Sequence, residues 1–144
     1  TSWSSADRLH EIHSGLIEVI ANWYPNDASI EQIFVAKGAE SAIKLGMAKG
    51  VAMQACAGKG LSLREISARQ VKKSVTGTGA ADKVQVAAMV EKLILVRPES
   101  PDAADALAIA IAGINQGPLH HPDMIDSEAK TGLARAIEAA LAKD

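Results

Sequence analysis

The stretch over residues 29–37 constrains the fold most. It is short, apolar and rich in β-branched residues, and it follows a Pro-Asn turn, so it is predicted to be a buried strand. Glu31 lies in the middle of this stretch and shares a face with Ile33 and Val35, because successive strand side chains point to opposite faces. A buried, unpaired carboxylate is costly. Glu31 therefore lies either at a sheet end beside a metal ion or on a partly solvated rim.

The rest of the chain alternates between helical and strand patterns, which predicts an α/β fold. The chain has 144 residues, enough for one domain with a real core, and aromatics make up only 3%, so the core is built from aliphatic side chains. We place the folded core over residues 1–115, followed by a C-terminal loop and surface helix over 116–144. Periodicity predicts a second strand over 61–68 and helices over 4–23, 39–57, 82–95, 102–114 and 127–143.

The charges are unevenly distributed along the chain. Residues 1–36 carry one arginine and five acids, residues 37–83 carry nine Lys/Arg and three acids, and residues 84–144 carry five bases and nine acids. A basic centre between acidic ends is compatible with phosphate binding, and equally with a solvated helix face.

Cysteine usage and hydropathy both predict a cytoplasmic protein. Cys56 lies in a helical stretch rich in Ala and Gly and is expected to be a buried structural thiol, with no disulfide within the chain. The longest apolar run, over 106–112, is too short to span a bilayer, and no secretory signal pattern is present. Because the chain starts with Thr1, a processed or trimmed form is expected.

The helix predicted over 39–57 carries a stripe of small residues, Ala42, Gly46 and Gly50. Glycine weakens a helix by roughly 1 kcal/mol relative to alanine, so two glycines on one stripe indicate close approach of another backbone. That backbone is either the sheet beneath the helix or a second copy of the chain.

Two further carboxylates, Asp102 and Asp105, lie three residues apart at the start of an apolar helix. A helix N-terminus favours acids, which explains one of them more easily than both. Together with Glu31 they suit Mg²⁺, or alternatively Mn²⁺, because these ions prefer carboxylate and water ligands. Two such ions roughly 4 Å apart activate water for phosphate-ester hydrolysis. The residues alone therefore predict a metal-dependent enzyme acting on phosphate esters.

A basic segment over 69–75, containing Arg69 and Lys72, precedes the glycines Gly77 and Gly79 and then Lys83. The glycines permit a tight loop and close approach of a ligand. This pattern lacks the third glycine of a Rossmann fingerprint and the GK[ST] ending of a P-loop.

Four of these stretches, in order and spacing, resemble the RuvC family of Holliday junction resolvases. The resemblance runs from residue 1 to about residue 112, and the matching stretches are 30–34, 42–50, 68–83 and 102–111. It implies a ribonuclease-H-like fold, in which a mixed sheet is flanked by helices. It also implies a Mg²⁺-dependent endodeoxyribonuclease of DNA recombination and repair. Such an enzyme makes two symmetric nicks in a four-way junction, leaving 5′-phosphate and 3′-hydroxyl ends.

The resemblance also implies roles for individual residues. Glu31, Asp102 and Asp105 match three of the family's four metal-binding, catalytic carboxylates. Lys72 and Lys83 match lysines near the scissile phosphate, and Lys83 is expected to be catalytic as well as DNA-binding.

Further expectations concern the partners. Phe34 matches an aromatic that contacts bases at the junction centre, although core packing explains it equally well, and Arg69 is expected to contact DNA. The resemblance implies a homodimer, with the helix over 39–57 as the candidate contact, and the branch-migration complex RuvAB as a partner. No membrane association is expected.

One departure from the family pattern is serious. The family begins with about three strands, the first carrying the remaining catalytic aspartate in a Gly-Ile-Asp-Pro-Gly type motif, and this sequence contains no such motif. We therefore expect a fold with its first strands missing. The alternative function is a non-catalytic module that binds junction DNA.

Overall fold

The computed structural model describes residues 3–33 and 38–119, and it confirms the alternation of helices and strands. None of the helices in these two ranges combines the length and the hydropathy that a membrane-spanning helix needs. The elements are α1 (Ser5–Trp23), β1 (Asp27–Glu31), α2 (Ala39–Gly58), β2 (Ser62–Ile66), α3 (Ala68–Thr76), α4 (Lys83–Ile94) and α5 (Pro101–Asn115).

Local capping fixes where three of the helices begin. In each capping box the N-cap side chain accepts from the backbone of the third helical residue, whose own side chain accepts from the N-cap backbone. This reciprocal bonding satisfies two backbone donors that the helix itself leaves unpaired. The pairs are Ser4 with Asp7 in α1, Ser67 with Gln70 in α3, and Asp82 with Gln85 in α4.

The predicted strand boundaries were wrong. β1 covers Asp27–Glu31, so it starts two residues earlier than predicted, and Glu31 is its last residue instead of its middle one. The predicted second strand ends at Ile66, because Ser67 caps α3 and Ala68 already belongs to that helix. The helix predicted over 127–143 and the residues 34–37 lie outside the described residues, and the division at residue 115 stays a prediction.

β1 and β2 form a parallel pair, with Ser29 opposite Arg64 and Glu31 opposite Ile66. Within the described residues the sheet has these two strands alone, in keeping with a fold whose first strands are missing. Paired residues share a face of a sheet.

The two faces of the sheet carry different helices. Arg64 of β2 bonds to the carbonyl oxygen of Gly113 in α5. The next residue, Glu65, forms an ion pair of 2.6 Å with Lys49 in α2. Because neighbouring strand residues point to opposite faces, α2 and α5 lie on opposite sides of the sheet. By the same alternation and pairing, Glu31 points to the α5 side.

The core lies between β2 and the helices α3, α4 and α5, and its buried residues are aliphatic, as predicted. Ile66 and Val90 are fully buried at its centre. The other members of the cluster are Val71, Val75, Ala81, Val86, Ala108 and Ala112. Cys56 is also buried, as predicted, and burial raises the pKa of its thiol.

The glycine stripe of α2 faces open space. A Cβ atom built on Gly46 or on Gly50 would meet nothing within 4 Å. Packing of these two glycines on the sheet, one of the two alternatives raised by the sequence, is therefore wrong within the described part of the chain. The same side of α2 exposes Ile43, Met47 and Met53.

Candidate active site

The three predicted carboxylates come from the end of β1 and the start of α5. Glu31 is the last residue of β1 and is exposed. α5 begins where Ser100 accepts a hydrogen bond from the backbone of Ala103, and Pro101 occupies its first turn. This start places Asp102 in the first turn and Asp105 one turn later. The buried alanines of α5 face the core, which fixes the rotation of the helix.

A cleft of about 230 Å³ brings four of the predicted site residues together. Glu31 comes from β1, Lys72 from α3, Lys83 from α4 and Asp105 from α5. The rest of the lining is apolar: Ala68, Val71, Val86, Ala108 and Ile109. The cleft thus presents two acids and two amines on a largely apolar floor.

Lys83 and Asp105 form an ion pair across this cleft, with 3.0 Å between Lys83 Nζ and Asp105 Oδ2. The hydrogen bond to Asp105 raises the pKa of Lys83, followed by the charge of Asp105, with smaller contributions from Glu31 and Asp102. All three carboxylates therefore act electrostatically on one ammonium group. These carboxylates favour a positive charge at the position of the Lys83 ammonium.

The donor atoms of the trio suit a hard divalent cation, because carboxylate oxygens are the ligands that Mg²⁺ and Mn²⁺ prefer. Their arrangement is open: in the described ranges no three His, Cys, Asp or Glu side chains converge closely enough to hold a metal ion. Asp102 does not line the cleft that Glu31 and Asp105 share. The trio supplies suitable chemistry without forming a closed ligand set.

The basic segment is a helix, α3, and Arg69 lies exposed on it. A Cβ atom on Gly79 would lie 2.7 Å from Arg69 Cγ, so the absence of a side chain at residue 79 lets the Arg69 side chain lie over the loop. The sequence predicted that the glycines permit close approach of a ligand. In the structure, Gly79 instead leaves room for the side chain of Arg69. Phe34 lies outside the described residues, and its predicted contact with bases stays a prediction.

Arg64 of β2 anchors the C-terminal end of α5, the helix that carries Asp105, and the sequence did not indicate this role. Its Nη1 donates to the carbonyl oxygen of Gly113 at 3.0 Å, and its Nη2 donates to that of Gly117 at 2.8 Å. These bonds satisfy carbonyl groups at the C-terminal end of α5. The sequence signal was a charged residue inside a strand, but its partners lie 49 and 53 residues away.

Comparison with known proteins decides the family. The family model described as "Crossover junction endodeoxyribonuclease RuvC" matches residues 1–113. The chain belongs to the RuvC family. The RuvC of Erythrobacter litoralis is 50% identical over 111 residues, covering 76% of this chain and 68% of the relative. That of Tolumonas auensis is 50% identical over 108 residues, covering 74% of this chain and 62% of the relative. The chain therefore spans roughly two thirds of the length of these RuvC relatives.

Solved RuvC structures confirm the ribonuclease-H-like fold. The Thermus thermophilus RuvC structure matches with a TM-score of 0.71 at 32% identity, covering 78% of this chain and 70% of that one. T. thermophilus RuvC in complex with a Holliday junction substrate matches with a TM-score of 0.73 at 32% identity, again covering 78% of this chain and 70% of that one. Family membership and fold thus agree with the resemblance found in the sequence.

Proposed function

We propose that the protein carrying this chain is a structure-specific endonuclease that resolves four-way DNA junctions by metal-dependent hydrolysis of phosphodiester bonds. The observation that carries the proposal is the cleft in which Glu31 and Asp105 face Lys72 and Lys83. Carboxylates would hold the cation and amines would hold the phosphate, so one cleft contains groups suited to both. Membership of the RuvC family supports the same activity.

In this mechanism Glu31, Asp102 and Asp105 would hold Mg²⁺, with Mn²⁺ as the alternative. When bound, this ion would supply activation of the attacking water and stabilisation of the leaving oxygen. Lys83 and Lys72 place their positive charges beside the scissile phosphate. Attack of water on phosphorus leaves a 5′-phosphate and a 3′-hydroxyl. Both nicks are therefore ligatable.

The DNA-binding surface that we propose extends from the cleft along α3. Arg69 and Lys72 lie on this helix, and Lys83 opens α4 on the other side of the Gly77–Gly79 loop. This surface lies within the basic centre of the chain, and phosphate contacts by Lys and Arg supply most sequence-independent affinity for DNA. Phe34 is proposed to stack on bases at the junction centre.

A homodimer would supply two such clefts for two symmetric nicks. The open glycine stripe of α2, flanked by the exposed Ile43 and Met47, is the contact that we propose. A two-fold interface uses the same patch twice, so this helix face would contact its own copy. Association with RuvAB and a cytoplasmic location remain predictions from the resemblance and from the sequence.

The second candidate function is a module that binds junction DNA without cutting it. The specific observation in its favour is that, over the described residues, no three acid, His or Cys side chains converge as metal ligands. The sequence also lacks the family's first aspartate motif. In this case Lys72, Lys83 and Phe34 would retain junction binding while hydrolysis is lost.

Carboxylate variants of the full-length protein test the proposal. Glu31→Gln and Asp105→Asn should abolish Mg²⁺-dependent cleavage of a synthetic four-way junction and leave junction binding intact. Glu91→Gln is the matched control, because Glu91 is an exposed acid of α4 that does not line the cleft. Undiminished turnover in either cleft variant would remove the carboxylates from the mechanism. Binding without cleavage by the unmodified protein would establish the second candidate.

A further inference from the structure

Lys83 and a divalent cation would compete for the same carboxylate oxygen. We propose that Lys83 acts as a displaceable counter-ion of Asp105, which gives up this carboxylate when a divalent cation binds and then engages the DNA phosphate. The inference rests on the proposed function, because it needs the metal site to include Asp105. It adds a role for Lys83 that is distinct from simple attraction of DNA: a coupling between cation binding and phosphate binding.

The geometry opposes simultaneous binding of the ammonium and a cation at Asp105 Oδ2. Lys83 Nζ lies 3.0 Å from Asp105 Oδ2. A magnesium ion binds a carboxylate oxygen at about 2.1 Å, so an ion on Oδ2 would lie within about 5 Å of the ammonium. Like charges at that separation repel each other. A cation on Oδ2 therefore favours departure of the ammonium from Asp105.

The exposure of the two side chains makes this exchange easy. The Lys83 side chain is 85% exposed and that of Asp105 is 47% exposed. An ion pair between exposed groups contributes little to stability, so a divalent cation can replace it. The backbone of Lys83 stays in place throughout, because Asp82 caps α4 directly before it.

The displaced ammonium remains at the cleft. Lys83 lines the cleft together with Lys72, so its side chain can move from Asp105 to a phosphate without any change in the backbone. Cation binding thus increases the positive charge available to DNA. By linkage, a bound phosphate that holds Lys83 should in turn favour the cation.

Manganese binding, measured by calorimetry on the full-length protein without DNA, tests the exchange. Lys83→Met should bind Mn²⁺ up to about fivefold more tightly than the unmodified protein, the range expected when an exposed ion pair no longer competes. Lys83→Arg should restore the original affinity because it keeps the ion pair. Lys72→Met is the matched control, since Lys72 lines the same cleft and forms no ion pair within residues 3–33 and 38–119.

The outcomes separate this inference from the proposed function. An equal gain in Mn²⁺ affinity in Lys72→Met and Lys83→Met would mean that any positive charge in the cleft weakens cation binding to the same extent. That result would overturn the exchange. Unchanged Mn²⁺ affinity in Asp105→Asn would overturn the metal site itself. The coupling has its own readout: Lys83→Met should weaken junction binding more with Ca²⁺ present than with a chelator. Equal weakening under both conditions would overturn the transfer of Lys83 to the phosphate.

Discussion

Gly113 of α5 lies so close to Ser29 of β1 that a Cβ atom on Gly113 would overlap the Ser29 hydroxyl. Ser29 lies two residues before Glu31 on the same face of the sheet, and Gly113 lies on the helix that carries Asp105. The contact therefore helps to set the separation between the strand end and the helix that supply the two acids of the cleft. A glycine is needed at residue 113 because the Ser29 side chain occupies the space that a Cβ atom would take.

Gly113→Ala should destabilise the protein by about 1 to 3 kcal/mol, the usual cost of overpacking a tight contact. The free energy of unfolding in urea measures this. Gly15→Ala is the matched control: a Cβ there meets nothing within 4 Å, and the change should stabilise α1 by up to about 1 kcal/mol. Adding Ser29→Gly to Gly113→Ala should recover part of the loss. Full stability of the single variant would contradict the close contact.

The start of α1 should depend on pH through Asp7. Hydrogen bonds from the Ser4 hydroxyl and then from the Ser4 backbone lower the pKa of Asp7 below its ordinary value of 3.8. A carboxyl whose pKa is lower in the folded state stabilises that state above its unfolded pKa. This contribution is lost as the pH falls below 3.8 and through the folded pKa. The ¹³Cα chemical shifts of the first turn of α1 should follow this loss, whereas Asp7→Asn should remove the dependence.

The dimer interface that we propose on α2 should be disrupted by an introduced charge. Ile43→Asp or Met47→Glu should convert a dimer into a monomer in sedimentation experiments, because each places a carboxylate at the centre of a desolvated interface. Val84→Glu provides the control, since Val84 is equally apolar and 77% exposed but lies on α4. If the α2 variants remain dimeric, the dimer contact lies elsewhere.

Lys83→Ala should weaken junction binding in the presence of a divalent cation and make its salt dependence shallower by about one phosphate contact. The logarithm of the binding constant, plotted against the logarithm of salt concentration, gives this slope. Lys59 is a suitable control because it lies outside the cleft, at the C-terminal end of α2. An unchanged slope together with unchanged cleavage would make Lys83 an ordinary surface charge.

The sequence predicted those parts of the fold that depend on neighbouring residues. The helices predicted from residues 4 and 82 begin at Ser5 and Lys83, directly after the caps Ser4 and Asp82, since caps act over one helical turn. The strand ends were misplaced because pairing with the other strand, and the competing start of α3 at Ser67, determine them.

In the candidate site too, the sequence predicted local features and did not predict contacts between residues far apart in the chain. The acids could be identified from their positions in the sequence, and the resemblance connected them with the two lysines. The pairing of Lys83 with Asp105 and the support from Arg64 could not be predicted, because each joins residues far apart in the chain. The contact of Gly79 with Arg69 depends on the path of a loop, which periodicity does not describe.

The most direct test of junction resolution is cleavage of a synthetic four-way junction by the full-length protein. A linear duplex of the same sequence serves as the control substrate, and each is incubated with Mg²⁺ and with a chelator while binding is measured on the same samples. We predict paired symmetric nicks in the junction only, and only with Mg²⁺. Equal cutting of the linear duplex, cutting in the presence of the chelator, or junction binding without any nicks would contradict the account.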